Sequence, residues 1–126
     1  MQYKREMHAM VQRVRPNQRN LQPLDVPGAT VQVADAIIGK ENNLAAGFTE
    51  YLKPSELEWT FDYDEVFFIL EGALEIHVSG REPVQFEVGD LGYVEKGTGT
   101  TIVVQERAYI LHFTQPAWQA VSQDDE

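Results

Sequence analysis

The sequence predicts a single all-β domain, a sandwich or barrel built from about nine short strands. Segments rich in Val, Ile, Thr and aromatic residues recur at regular intervals between turn residues. No stretch of useful length shows the apolar spacing of an amphipathic helix. A chain of 126 residues, 43% of them hydrophobic, is long enough for one core and too short for several domains.

The first half of the chain divides into an arm and three strands. Residues 1–22 are polar and basic and contain Pro16, which predicts an arm with at most a short helix or an edge strand. Beyond the turn at Pro27-Gly28, β-branched and aromatic residues predict strands over residues 30–38, 44–52 and 57–61. A loop over residues 39–43 and a turn over residues 53–56 separate these strands.

The second half adds further strands and a tail. Five apolar residues, 66–70, predict a strand buried on both faces, and Glu71-Gly72 predicts a turn after it. Residues 73–78 alternate, so that Leu74, Ile76 and Val78 share one face. The remaining predicted strands are 84–88, 91–94, 100–104 and 109–114. We therefore divide the chain into an arm (1–22), a barrel (23–118) and an acidic tail (119–126).

Charge and composition exclude several functional classes. The net charge is −10, and half of the ten Lys and Arg residues lie in the first twenty positions. An acidic body disfavours nucleic acid, whose binding depends on neutralising phosphates. No apolar run reaches the roughly 20 residues that a membrane helix needs, and no signal peptide is evident. We therefore expect a cytoplasmic protein without a membrane or nucleic-acid partner, whose arm is solvated or docks on an acidic surface.

Two spaced motifs connect the chain to a known fold family. Glu65 is followed after six residues by Gly72, and Gly89 is followed after seven by Gly97. These spacings resemble the two motifs of the cupin superfamily, Gly-x5-His-x-His-x3–4-Glu-x6-Gly and Gly-x5-Pro-x-Gly-x2-His-x3-Asn. The resemblance implies a jelly-roll β-barrel, also described as a double-stranded β-helix.

The metal-binding residues of the two cupin motifs are replaced in this chain. The histidine positions of the first motif fall on Glu58 and Thr60. The Pro, His and Asn positions of the second motif fall on Glu95, Thr100 and Val104. Transition-metal sites of this kind usually contain two or three imidazole ligands. We therefore expect no tightly bound metal.

Within the cupins, the chain resembles the ethanolamine-utilisation EutQ group. The resemblance lies in Trp59 to Gly72, in Gly89 to Gly97 and in Pro116-Ala117-Trp118. It implies a link to ethanolamine utilisation and bacterial microcompartments, and a Mg²⁺-dependent acetate kinase-type activity. No Gly-rich phosphate loop accompanies it.

Carboxylates are concentrated around the first motif. Six of them lie within sixteen residues: Glu50, Glu56, Glu58, Asp62, Asp64 and Glu65. Carboxylates gathered in a pocket raise one another's pKa. They could bind an amine, act as acid and base, or bind a hard cation such as Mg²⁺. The simpler interpretation places Glu56, Asp62 and Asp64 in solvent. The resemblance points Glu65 inward, and we predict it as the catalytic acid or base.

The predicted ligand site combines this cluster with nearby polar aromatic residues and one histidine. We predict that the pocket is lined by Glu58, Tyr63, Tyr93, Glu95 and His112, around Glu65. A tyrosine offers an apolar ring and one hydroxyl, which suits a small polar ligand. Both faces of residues 66–70 are apolar, and only one can fill the barrel. We expect the other face to pack against a second copy of the chain, forming a homodimer.

Three hypotheses remain open from the sequence. The first is a EutQ-like cupin that binds a small polar metabolite in an acidic barrel pocket. The second is a non-catalytic sensory or scaffolding cupin. The third is a metal-dependent cupin enzyme with Glu58, Glu65 and His112 as ligands.

Overall fold

Nine antiparallel strands make up the computed structural model, which describes residues 10–118. They are β1 Gln22–Leu24, β2 Val31–Ile38, β3 Ala45–Tyr51, β4 Ser55–Thr60, β5 Asp64–His77, β6 Val84–Glu87, β7 Leu91–Val94, β8 Gly99–Val104 and β9 Ala108–Gln115. The described helices are two short 3₁₀ turns, Pro16–Gln18 and Lys40–Asn42, and none is long and apolar enough to span a membrane. The predicted all-β fold is confirmed.

The strands form one sheet that doubles over into two layers. Its order is β1-β2-β3-β9-β5-β8-β4, and β6 and β7 also pair with β5. The first half of β5 pairs with β9 and β7, whereas its second half pairs with β8 and β6. β5 therefore belongs to both layers. This jelly-roll arrangement encloses a core to which both layers contribute.

A bulge in β5 makes this double membership possible. The pairing of β5 with β9 shifts between Ile69 and Glu71, and Gly72 adopts a φ of +76°. The turn predicted at Glu71-Gly72 is therefore wrong, because the strand continues through it to His77. Only glycine reaches that φ without strain, and here it bends a strand instead of reversing it.

The bulge also changes which residues of β5 face the core. Before it, Phe67 and Ile69 are buried; after it, Leu74 and Ile76 are buried. The inward positions therefore change from odd to even numbers, as one extra residue requires. Within one chain, residues 66–70 are buried on one face only, since Phe68 is 36% exposed on the outer face. Burial of both faces stays a prediction that depends on the expected partner copy.

Part of the basic arm is held against the barrel. The Arg19 guanidinium lies 4.0 Å from the centre of the Phe48 ring and donates a hydrogen bond to the Tyr109 hydroxyl at 2.7 Å. At this residue the arm is neither solvated nor docked on acidic groups, because an aromatic surface attracts the planar cation. Residues 1–9 and the tail 119–126 lie outside the described residues, so the division into arm, barrel and tail stays a prediction.

The Gly72 bulge generates a stability prediction. A Cβ at Gly72 would overlap the Arg107 carbonyl oxygen, and the φ of +76° is unfavourable for any other residue. Gly72→Ala should lower the free energy of unfolding by roughly 2–4 kcal/mol. Gly80→Ala is the matched control, because its φ is +79° but a Cβ there would meet nothing within 4 Å. Urea denaturation of both variants measures the difference, and equal losses would show that the bulge contact is unimportant.

Candidate functional site

A cavity of about 60 Å³ lies between the two layers. At roughly 10–15 Å³ for each water-sized sphere, it holds about five non-hydrogen atoms. Its wall is mostly apolar and aromatic, and Trp59, Phe61, Phe67 and Trp118 all contribute. The polar residues in the wall are Thr49, Tyr51, Tyr63, Glu65 and His112.

The strand register brings one row of residues across the floor of this cavity. Asp35 on β2 pairs with Gly47 on β3, Gly47 pairs with His112 on β9, and His112 pairs with Phe67 on β5. A Cβ at Gly47 would overlap the Ala34 carbonyl oxygen. Because Gly47 has no side chain, Asp35 and His112 meet across it.

Asp35 and His112 are the centre of a buried hydrogen-bond network. His112 Nε2 lies 3.2 Å from Asp35 Oδ1, and His112 Nδ1 lies 2.8 Å from Thr49 Oγ1. The Trp118 indole also donates to Asp35 Oδ1, at 2.9 Å. Since an ionised carboxylate only accepts, Nε2 carries the hydrogen of its bond. Among the described residues nothing hydrogen-bonds to Asp35 Oδ2 or to Thr114 Oγ1, although both atoms are buried.

Glu65 is the carboxyl group of the cavity wall. It pairs with Thr114 across β5 and β9, next to the row that contains His112. No described side chain hydrogen-bonds to its carboxyl group. Burial, together with the negative charge of Asp35, raises the pKa of Glu65 to about 8. At neutral pH this carboxyl group therefore holds a proton.

Two tyrosines stand near Glu65 and stay protonated. Burial raises the pKa of Tyr51 and of Tyr63, and the charge of Glu65 raises both further. The Tyr63 hydroxyl accepts a hydrogen bond from the Trp59 indole at 2.8 Å. The Tyr63 ring packs edge-on against Phe61, with 5.6 Å between ring centres. Tyr63 is therefore both a wall of the cavity and a polar group within it.

The structure brings together three of the predicted site residues and leaves three outside. Tyr63, Glu65 and His112 line the cavity. Glu58, Tyr93 and Glu95 do not line this cavity, because all three side chains are exposed. Tyr93 and Glu95 line a second cleft instead, beside Thr98 and Thr100, and their part in ligand binding stays a prediction.

Glu58 points outward because of the alternation of β4. Leu57 is buried and Trp59 lines the cavity, so the side chain between them faces solvent. The cupin motif allows three or four residues between its second histidine and its Glu. A spacing of three assigns the histidine positions to Trp59 and Phe61, and both line the cavity. Two aromatic rings thus occupy the places of the metal ligands.

Tyr93 and Glu95 point outward for a similar reason. Their neighbours Gly92 and Val94 are buried, and the Phe67 ring occupies the space above Gly92. Tyr93 is 61% exposed, and its hydroxyl donates to Asp64 Oδ1 at 3.3 Å.

The acidic cluster of the sequence is dispersed in three dimensions. Glu50 lies on the other face of β3, where it accepts hydrogen bonds from Arg107 at 2.6 Å and from Gln32 at 2.9 Å. Asp64 accepts from the Lys96 backbone N–H at 2.8 Å and so holds the loop after β7. Because Glu58 is outside, the metal-ligand set Glu58, Glu65 and His112 does not assemble. Within residues 10–118 no three Asp, Glu or His side chains converge closely enough to hold a metal ion.

Sequence reasoning missed two members of the site, Asp35 and Trp118. Asp35 interrupts a β-branched strand, and an acidic residue among apolar neighbours is a signal that it has a partner. That partner, His112, is 77 positions away in sequence, so only the sheet register reveals it.

Comparison with known proteins agrees with this architecture. Residues 7–120 match the family described as ethanolamine utilisation protein EutQ. The acetate kinase EutQ of Clostridioides difficile (strain 630) is 30% identical over 92 residues, which are 72% of this chain and 57% of that protein. The chain therefore spans little more than half the length of this curated relative.

Solved structures give the same result. The structure of the Clostridium difficile EutQ protein superposes with a TM-score of 0.66 at 29% identity, covering 75% of this chain and 76% of that one. An RmlC-like cupin from Shewanella frigidimarina superposes with a TM-score of 0.66 at 18% identity, over 85% of this chain and 92% of that one. The predicted cupin jelly-roll is confirmed, and the chain belongs to the EutQ family of ethanolamine utilisation proteins.

Proposed function

We propose that this EutQ-family cupin binds a small polar metabolite in the cavity between its two layers. One observation carries the proposal: the Glu65 carboxyl group lines an aromatic cavity and has no hydrogen-bond partner among the described residues. Glu65 is partly buried, and a polar group held largely away from water without a partner costs free energy that a bound ligand would reduce.

Glu65 is suited to proton transfer in this position. A general acid or base works best when its pKa lies near the working pH, and the pKa of Glu65 is about 8. We therefore keep Glu65 as the proposed acid or base. Tyr63 and His112 would orient the ligand beside it, since both line the same cavity.

Acetate kinase-type activity is the second candidate, and it rests on the name of the relatives. The cavity is far smaller than a nucleotide, and its wall contains no Lys or Arg to hold phosphates. A nucleotide would therefore bind outside the cavity. Mg²⁺ would arrive mainly on the nucleotide phosphates, which supply most of its ligands in such sites. Cytoplasmic location and association with a microcompartment are proposed on family membership alone.

Pairing of two copies is the third part of the proposal. The outer side of β5, β7 and β9 presents Phe68, Leu91, Leu111 and Phe113, all at least 36% exposed. Phe68 pairs with both Leu91 and Leu111, so these side chains form one continuous apolar face. Such a face is uncommon on monomers, and two copies related by a two-fold axis would cover it.

The raised pKa of Glu65 predicts a pH-dependent stability. Between its ordinary value of 4.5 and about 8, the folded protein keeps a proton that the unfolded chain has released. The free energy of unfolding should therefore fall as pH rises through this window, by an amount on the order of a few kcal/mol. Glu65→Gln should lack this fall, whereas the exposed Glu58→Gln should keep it. Urea titrations across the window measure both variants, and parallel profiles for Glu65→Gln and wild type would contradict a protonated Glu65.

Ligand binding predicts a thermal shift that depends on Glu65. A screen of small metabolites, with acetate, acetyl phosphate, ATP and Mg²⁺ included, should contain at least one compound that raises the melting temperature by several degrees. Glu65→Gln should abolish that rise, and Glu58→Gln should preserve it. A screen without any shift would favour the sensory or scaffolding alternative.

The apolar face predicts a change of oligomeric state. Light scattering should give twice the chain mass for the wild type. Leu111→Glu should give the mass of one chain, because a buried unpaired charge opposes association. Val84→Glu, on β6 in the other layer, changes an apolar residue that is also exposed and should leave the dimer intact. A monomeric wild type at micromolar concentration would contradict the proposal.

A further inference from the structure

We infer that the ligand of the barrel cavity is a small organic ammonium ion, bound against the Glu65 carboxylate within the aromatic wall. The inference rests on the proposed binding function and names the class of ligand. It depends on three properties of the cavity: its charge, its lining and its size.

The charge of the site favours a cation. Glu65 is in the wall, and Asp35 lies directly behind His112 and Trp118, within hydrogen-bond distance of both. Among the residues that line the cavity there is no Lys or Arg. The one basic side chain, His112, is already engaged by Asp35 and Thr49. An anionic ligand would place a second negative charge near Asp35, whereas a cation would balance the first.

Asp35 is an independent indication that the site lacks a positively charged or hydrogen-bonding partner. Its side chain is 6% exposed, and Oδ2 has no hydrogen-bond partner among the described residues. A buried carboxylate usually has both oxygens satisfied. A positive charge in the cavity would stabilise it through space even without direct contact.

The lining and the size narrow the class further. Trp59, Phe61 and Trp118 present aromatic rings, which attract ammonium groups when water is excluded. A volume of about 60 Å³ holds a handful of non-hydrogen atoms inside the cavity. Ammonium ions with one short carbon chain meet both conditions.

Binding would exchange a proton for the ligand. At neutral pH the Glu65 carboxyl group loses its proton to the buffer and the ammonium group takes its place, so that total charge is conserved. Asp35 from β2 acts on Glu65 through its charge. The other titratable groups in the cavity wall are Tyr51 from β3, Tyr63 from the segment before β5, and His112 from β9. Since one proton leaves for each ligand bound, affinity should rise about tenfold per pH unit below the Glu65 pKa. A carboxylate ligand would bind beside the protonated Glu65 without releasing a proton, so its affinity would not rise with pH in this window.

The experiment uses three probes of similar size: ethylammonium, acetamide and acetate. The chain has two tryptophans, and both line the cavity, so their indole N–H signals in NMR report binding directly. We expect saturable shifts with ethylammonium, with affinity about tenfold higher at pH 7 than at pH 6. Glu65→Gln should weaken binding at pH 7 and remove the pH dependence, and Glu58→Gln should match wild type.

The possible failures are distinguishable. Binding of acetate or acetamide without ethylammonium would overturn the ligand class and leave the proposed function standing. Ethylammonium binding that is independent of pH in the wild type would overturn the role of Glu65. No indole shift with any of the three would count against both the ligand class and the binding function.

Discussion

The whole barrel depends on the bulge in β5. This strand pairs with β9 and β7 before the bulge and with β8 and β6 after it, so it joins the two layers. The extra residue also changes the parity of the strand. Without that change, Glu71, Ala73, Glu75 and His77 would face the core in place of Leu74 and Ile76. Gly72 allows the bulge because its φ of +76° and its contact with the Arg107 carbonyl leave no room for a side chain.

The strands could be predicted well from the sequence, but the side of each strand that faces the core could not, for a physical reason. Alternation shows which residues share a face, but it does not show which face is inside. On β7 both assignments were possible, and the burial of Gly92 under the Phe67 ring decides for the outward position of Tyr93. On β5, residues 66–70 are all apolar, so the sequence shows no preferred face before Gly72, and a glycine there is as typical of a turn as of a bulge. The contact between Asp35 and His112 depends on the register of strands that are distant in sequence, and no local sequence pattern predicts that register.

Aromatic residues at the histidine positions change what the barrel can do. With Trp59 and Phe61 there, the cavity wall has aromatic rings instead of imidazole ligands, and the Trp59 indole N–H is donated to the Tyr63 hydroxyl. Trp59 also packs edge-on against Trp118, with 6.1 Å between ring centres, and Trp118 donates to Asp35. Trp118 therefore links the aromatic wall to the buried polar network. A ligand that moves either indole would change the surroundings of the Asp35 carboxylate.

The position of Glu65 in this interior is itself an argument for function. A carboxyl group surrounded by apolar side chains and placed near a second carboxylate lowers stability above its ordinary pKa. An apolar side chain of similar volume would fill the same space without this cost, as replacements of buried ion pairs show in other proteins. The opposing Thr114 hydroxyl is buried and lies across the strand pair from Glu65, yet no described group pairs with it. Groups that are buried, unsatisfied and shifted in pKa are concentrated at functional sites. The chemistry of this protein is therefore to be sought inside the barrel, at Glu65, rather than along the exposed acidic face of β4.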